Sequence, residues 1–188
     1  MLLSAHKDLK AAITALPAKE KDKLLLRLIA KDKILTEHLH FKLLEDEGDL
    51  EARRETLLEE IDDAVSMLNA DKKLHPKETL SVMRSLNGKI NLHYKVTKDV
   101  SSELELRLHL LNTLPVNIKE AVYSPLQVYN EKLIAYFVRA TLSAYKKYLK
   151  MHEDLQFDFS EAFQQVLVKI HKGKMAYAAK LLNLPEEL

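Results

Sequence analysis

The sequence predicts an all-α, mainly helical fold: an irregular multi-helix bundle or a short solenoid-like helical array of about seven to nine helices. Glycine and proline number only 3 and 5 in 188 residues, so turn formers and helix breakers are scarce. Leucine occurs 36 times against 10 valines and 8 isoleucines. Unbranched side chains lose less rotamer freedom in a helix than β-branched ones, which favour strands. The leucines also recur at intervals of three and four, the spacing of one helix face. A single helical domain over residues 1–188 is expected at this length.

The first helix is expected from Ser4, a capping residue, to about Leu16, with Leu9, Ile13 and Leu16 on one face. Pro17 stops it and suits the first turn of a second helix carrying Leu24, Leu25, Leu28 and Ile29. Asp32 reads as the cap of a third, with Leu35, Leu39, Leu43 and Phe41 in its stripe. A break is expected over Glu45 to Asp49, around Gly48. The fourth helix, Asp49 to Asn69, lines Leu50, Leu57, Ile61, Ala64 and Leu68 along one face, with Glu51, Glu55, Glu59 and Asp63 opposite. His75-Pro76 opens the next, continued by Leu80, Met83, Leu86 and Ile90.

Residues 89–111 support two readings. Ile90, Leu92, Tyr94 and Val96, and again Leu104, Leu106, Leu108 and Leu110, alternate with polar residues, as the arms of a β-hairpin do. Against that, Ser102 and Glu105 have capping-box spacing, and Glu103 and Arg107 form an i,i+4 pair. The second arm is leucine-rich rather than β-branched, which favours a helical hairpin. Asn117 and Glu120 then suggest a short helix to Tyr123. Ser124-Pro125 opens the longest helix, to about Met151 or His152, whose wide apolar arc suits the centre of the fold. Asp158 and Glu161 suggest the cap of a helix bearing Phe163, Val166, Leu167 and Ile170 and stopped by Gly173. A last helix runs from Lys174 to Leu184.

The composition excludes several function classes. With no cysteine there is no disulfide or thiolate chemistry, which fits a reducing, cytoplasmic setting. The first residues lack the apolar core of a secretory signal, and no stretch is long and apolar enough to span a bilayer, so no membrane role is expected. A net charge of +1 removes the electrostatic case for a dedicated nucleic-acid binder. Gly48, Gly88 and Gly173 are too far apart for the paired-glycine turns of dinucleotide-binding, P-loop or nucleophile-elbow motifs.

Metal and acid–base chemistry find little support. No His-Glu-x-x-His occurs. His38 and His40, two residues apart, point about 160° from each other on a helix. His93 and His109 lie in facing arms of the 89–111 hairpin and are more readily a hydrogen-bonded pair than a zinc site. Helical nucleotide hydrolases hold magnesium with carboxylates one turn apart on two helices. Glu59 with Asp62, and Glu60 with Asp63, are the nearest spacings here, and no partner pair is evident. No cofactor, catalytic set or metal set is therefore assigned.

Charge is segregated along the chain. Glu51, Glu55, Glu59, Asp62 and Asp63 form a candidate acidic docking face for a basic partner. Lys146, Lys147, Lys150, Lys169, Lys172 and Lys174 form a candidate basic face, with Tyr145 and Tyr148 interleaved. Such interleaving serves single-stranded nucleic acid, but aromatic packing under snorkelling lysines is the simpler account. Lys19, Lys21, Lys23, Arg27, Lys31 and Lys33 make a second basic stretch over the second helix and its exit.

The run Leu16-Pro17-Ala18-Lys19-Glu20-Lys21-Asp22-Lys23-Leu24-Leu25, with Ile90-Asn91-Leu92-His93 and Val96-Thr97-Lys98-Asp99, resembles segments of uncharacterised bacterial all-helical proteins of unknown function. The resemblance implies a helical intracellular protein and carries over no catalytic residue. The paired short helices are also similar to HEAT-type scaffolds, though no repeat period supports that name. The expected function is a non-catalytic cytoplasmic helical protein-interaction module that binds a protein partner or forms a homo-oligomer. The alternatives are a nucleic-acid-associated module using the lysine-rich faces and a metal-dependent hydrolase using the fourth helix's carboxylates.

Overall fold

The structure, a computed structural model, describes residues 5–70, 75–116, 118 and 125–188. Nine helices and no strand occur among the described residues. They divide into two compact units, Met1–Glu45 and Asp46–Leu188.

In the first unit, α1 (Lys7–Ala15) ends where the chain must extend before Pro17: Leu16 sits at φ −58°, ψ 146°. Pro17 caps α2 (Ala18–Ile29), its carbonyl accepting from the Glu20 and Lys21 amides. Asp32 caps α3 (Lys33–Leu44) as expected, Oδ1 accepting from the Leu35 amide at 3.1 Å. The Thr36 hydroxyl donates to the Ile29 carbonyl at 2.9 Å, tying the end of α2 to the start of α3. None of these three helices contains a buried residue. The Ser4 cap lies outside the described residues.

In the second unit, α4 spans Glu47–Ala70, so the break before it is shorter than expected and Gly48 lies in its first turn. Asp46 is the reason. Its Oδ1 accepts from the amides of Gly48 (2.8 Å) and Asp49 (3.2 Å), and Asp49 Oδ2 accepts from the Asp46 amide (3.1 Å). This is a reciprocal cap made with aspartate. Ile61, Val65 and Leu68 are its buried residues, and Glu51, Glu55, Glu59 and Asp63 face water.

The β-hairpin considered for residues 89–111 does not occur. Two helices stand there, α5 (Pro76–Thr97) and α6 (Val100–Thr113). Lys98, with φ 60°, closes α5 in the left-handed region, and the α6 cap is Asp99, accepting from the Ser102 amide at 2.6 Å. The alternation has a different cause. Leu104, Leu106, Leu108 and Leu110 fall on opposite sides of one helix, and all four are at most 1% exposed. A helix apolar on opposing sides is one surrounded by others, and α6 packs against α4, α5, α7 and α8. It therefore holds a central place beside the long helix, and the unit is a bundle around α6 rather than a linear array.

The long helix, α7 (Pro125–Tyr148), packs against α5, α6, α8 and α9. Helix α8 spans Glu153–His171, beginning earlier than expected because His152 caps it and leaves Asp158 in its interior. It ends before Gly173, which has no positive φ. The last helix, α9, is Ala176–Leu181. Leu104, Leu106, Leu108, Leu133, Phe137 and Phe163 are among the fully buried side chains of the core. The short helix expected over Asn117–Tyr123 lies outside the described residues.

Candidate functional site

The most polar place in the interior surrounds Glu103. This residue of α6 is 0% exposed. Its Oε1 accepts from Arg107 Nε at 3.0 Å and Nη2 at 2.6 Å, and its Oε2 accepts from Lys147 Nζ of α7. Arg107 also donates to Asn87 Oδ1 (3.1 Å) and Asn91 Oδ1 (2.6 Å) of α5. The Lys147 ammonium sits 4.4 Å from the Tyr94 ring centroid. One carboxylate thus binds two cations and joins three helices. Its oxygens are taken by Arg107 and Lys147, so the geometry serves cohesion rather than acid–base work.

His93 and His109 do not share a partner. His93 Nε2 lies 2.8 Å from the Ser102 hydroxyl in the core, and burial lowers its pKa. His109 Nε2 lies 2.6 Å from Asp62 Oδ1, linking α6 to α4. His38 and His40 both fall on α3, the helical case in which they diverge. A Glu-x-x-His spacing also runs along this helix, from Glu37 to His40. His40 Nδ1 is engaged by Glu45 Oε1 at 2.8 Å. Among the described residues, no three His, Asp or Glu side chains gather as a metal site would need.

The acidic face divides. Glu55, Glu59 and Asp63 are exposed on α4. Glu51 is exposed but bonded to Arg54, which also reaches Glu105 of α6, and Asp62 leans to His109. The basic residues divide likewise. Lys146, Lys150, Lys172 and Lys174 are exposed, whereas Lys147 is turned to Glu103 and Lys169 points into the unit. Lys169 Nζ donates to the carbonyls of Leu111 (2.8 Å), Asn112 (2.8 Å) and Leu114 (2.7 Å), the unsatisfied end of α6. Burial pulls its pKa down to about 8. Tyr145 and Tyr148 pack on Phe163, with centroids 5.6 and 5.2 Å away, so these rings are core contacts.

The first unit presents a different surface. Leu25, Leu26, Leu28, Leu43 and Leu44 are 54–74% exposed. An open hollow of about 300 Å³ is lined by Ile13 of α1 and Leu24, Leu25 and Leu28 of α2, with Lys21 and Asp22 alongside. Sequence periodicity marked Leu24, Leu25, Leu28 and Leu43 for burial. It carried no sign that their own helices leave them uncovered. Comparison with family models, curated proteins and solved structures finds no match for this chain.

Proposed function

We propose that the chain is a helical protein-interaction module whose docking surface is formed by α1–α3. One observation carries this reading: three helices with no buried residue leave six leucines more than half exposed. Apolar patches beyond a few hundred Å² are uncommon on monomeric proteins and mark interaction sites. The end of α2 narrows the class of partner. Leu24, Leu25, Leu26, Leu28 and Ile29 spread over about 200° of helix arc at 100° per residue. A lipid surface covers one side of a helix, whereas a protein partner can cover an arc that wide.

The exposed acids of α4 support a second, charged contact. Glu55, Glu59 and Asp63 stand four residues apart, and like charges at that spacing weaken a helix by a few tenths of a kcal/mol per pair. A basic partner would relieve that repulsion. The lysine-rich faces lend less to a nucleic-acid role, because Lys147 and Lys169 are engaged inside the unit. The absence of cysteine suits a reducing compartment such as the cytoplasm.

The test is affinity isolation with the full chain and with Leu25→Glu/Leu28→Glu. A stoichiometric protein, either another species or the untagged chain itself, should be held by the first and lost by the second. Retention of no protein by the intact chain would contradict the reading.

A further inference from the structure

We propose that the seam between α5 and α7 is a docking surface for single-stranded nucleic acid. It lies within the second unit and does not depend on the α1–α3 reading.

The two helices run side by side in the same direction. Lys77 Nζ of α5 lies 5.8 Å from the centroid of the Tyr129 ring of α7, and Arg84 Cζ lies 5.4 Å from that of Tyr136. Further on, Lys147 Nζ of α7 lies 4.4 Å from the Tyr94 ring of α5. The residues of each pair stand 52 or 53 positions apart in the chain. That constant register makes a straight seam, about 32 Å long from Lys77 to Lys98 at 1.5 Å per residue.

The seam is lined by cations and rings. On α5, Lys77, Ser81, Arg84, Gly88, Asn91 and Lys95 recur every three or four residues and are exposed. On α7, Tyr129, Lys132, Tyr136, Arg139 and Ser143 recur in the same way, the two rings half-buried and the others exposed. Neither stripe contains an acid. Lys77, Arg84, Lys95, Lys132 and Arg139 form no ion pair among the described residues. The net charge of +1 conceals this surface, because Glu47–Ala70 holds eight acids against two arginines. Residues 76–99 and 125–150 hold ten Lys or Arg against three acids. Such a division steers a polyanion to the α5–α7 side.

The lining also selects among polyanions. Tyr129 lies between two cations, Lys77 and Lys132, the second 5.6 Å from its centroid. These rings hold flexible cations at the seam before any phosphate arrives, which lowers the ordering cost of binding. Phosphates suit the line of unpaired cations, and unstacked bases suit the rings between them. A duplex keeps its bases stacked on one another and cannot use the rings. An acidic protein needs apolar anchors at the centre of its interface. Among the described residues of α5 and α7, Leu92 and Val128 are the large apolar side chains that are exposed. The same shortage leaves little to insert into an anionic bilayer. Midway along α5, a Cβ added to Gly88 would meet nothing within 4 Å, so the seam is open there to a passing strand.

The experiment is fluorescence anisotropy of a labelled oligothymidylate of about 20 nucleotides titrated with the full chain. Saturable binding is expected at 50 mM salt, weakening tenfold or more at 200 mM. Arg84→Glu/Arg139→Glu should weaken it at least tenfold, and Tyr129→Ala/Tyr136→Ala about fivefold or more, with helical circular dichroism retained. Lys31→Glu/Lys33→Glu, an equal change of charge away from the seam, should leave it within about twofold. No saturable binding at 50 mM salt, or indifference to the seam arginines or tyrosines, overturns the proposal. So does an equal loss in the Lys31/Lys33 variant. Equal affinity for the duplex, or displacement by polyglutamate at equal charge concentration, also overturns it and assigns the seam to a duplex or to an acidic protein.

Discussion

At the scale of single residues, Glu103 is the side chain whose loss the fold should feel most. Removing it leaves Arg107 and Lys147 without their shared carboxylate, and breaking a buried ion pair from one side costs about 3–5 kcal/mol. Glu103→Ala should therefore lower the denaturation midpoint sharply. Replacing the three charges together, as Glu103→Leu/Arg107→Met/Lys147→Met, should recover much of the loss, because an apolar group of similar volume needs no counter-charge. Denaturant melts of the two variants check this.

His93 gives a pH dependence with a definite sign. Burial, aided by Arg53 and opposed by Asp99 and Glu103, holds its pKa below the ordinary 6.5. The unfolded chain thus takes a proton more readily just under that pH. Stability is whole above 6.5 and drains as the pH falls beneath it. Melting temperatures between pH 7 and pH 5 should decline less steeply in His93→Gln than in the natural chain. Lys169→Met should cost about 1–3 kcal/mol, since three carbonyls at the end of α6 lose their donor. Local chemistry was legible at this scale and distant chemistry was not. Asp32 announces its cap from three residues away. Glu103 acquires its meaning from Lys147, 44 residues on, and Arg107 from Asn87, 20 residues back. Lys169 reads as a surface lysine until the end of α6 is placed beside it.

At the scale of elements, the helices follow the leucine period, and the departures have identifiable causes. Asp46 caps α4, which starts two residues ahead of Asp49, and Asp99 caps α6 three residues ahead of Ser102. The alternation in α6 imitates a strand because a helix enclosed by four others needs apolar residues on opposing sides, and its polar residues answer to Arg54, Asp62 and Lys147. Helix α5 offers the cleanest test of helical propensity. Gly88 lies in its interior, exposed, and an added Cβ would meet nothing within 4 Å. Gly88→Ala should stabilise the chain by about 0.5–1 kcal/mol, a rise of about 2–4 °C or less in melting temperature at this size. Scanning calorimetry reads it directly.

At the scale of the whole molecule, the contrast is between a bundle with a buried apolar core and a helical unit with no buried residue on its helices. The second unit gathers Leu80, Leu86, Leu133 and Leu167 with the leucines of α6 in one core and pairs the buried Glu103. The first has the same periodic leucines and buries none of them. Periodicity in the sequence states that a face seeks cover. It does not state whether the cover lies in the same chain, which is why the bundle was legible and the docking surface was not. The most direct measurement is amide hydrogen exchange over Ala18–Leu44 in the chain alone and in the complex recovered by affinity isolation. If a protein partner covers these helices, their protection rises in the complex, while that of α5 and α6 stays constant. Exchange across Ala18–Leu44 that is the same in both would contradict it.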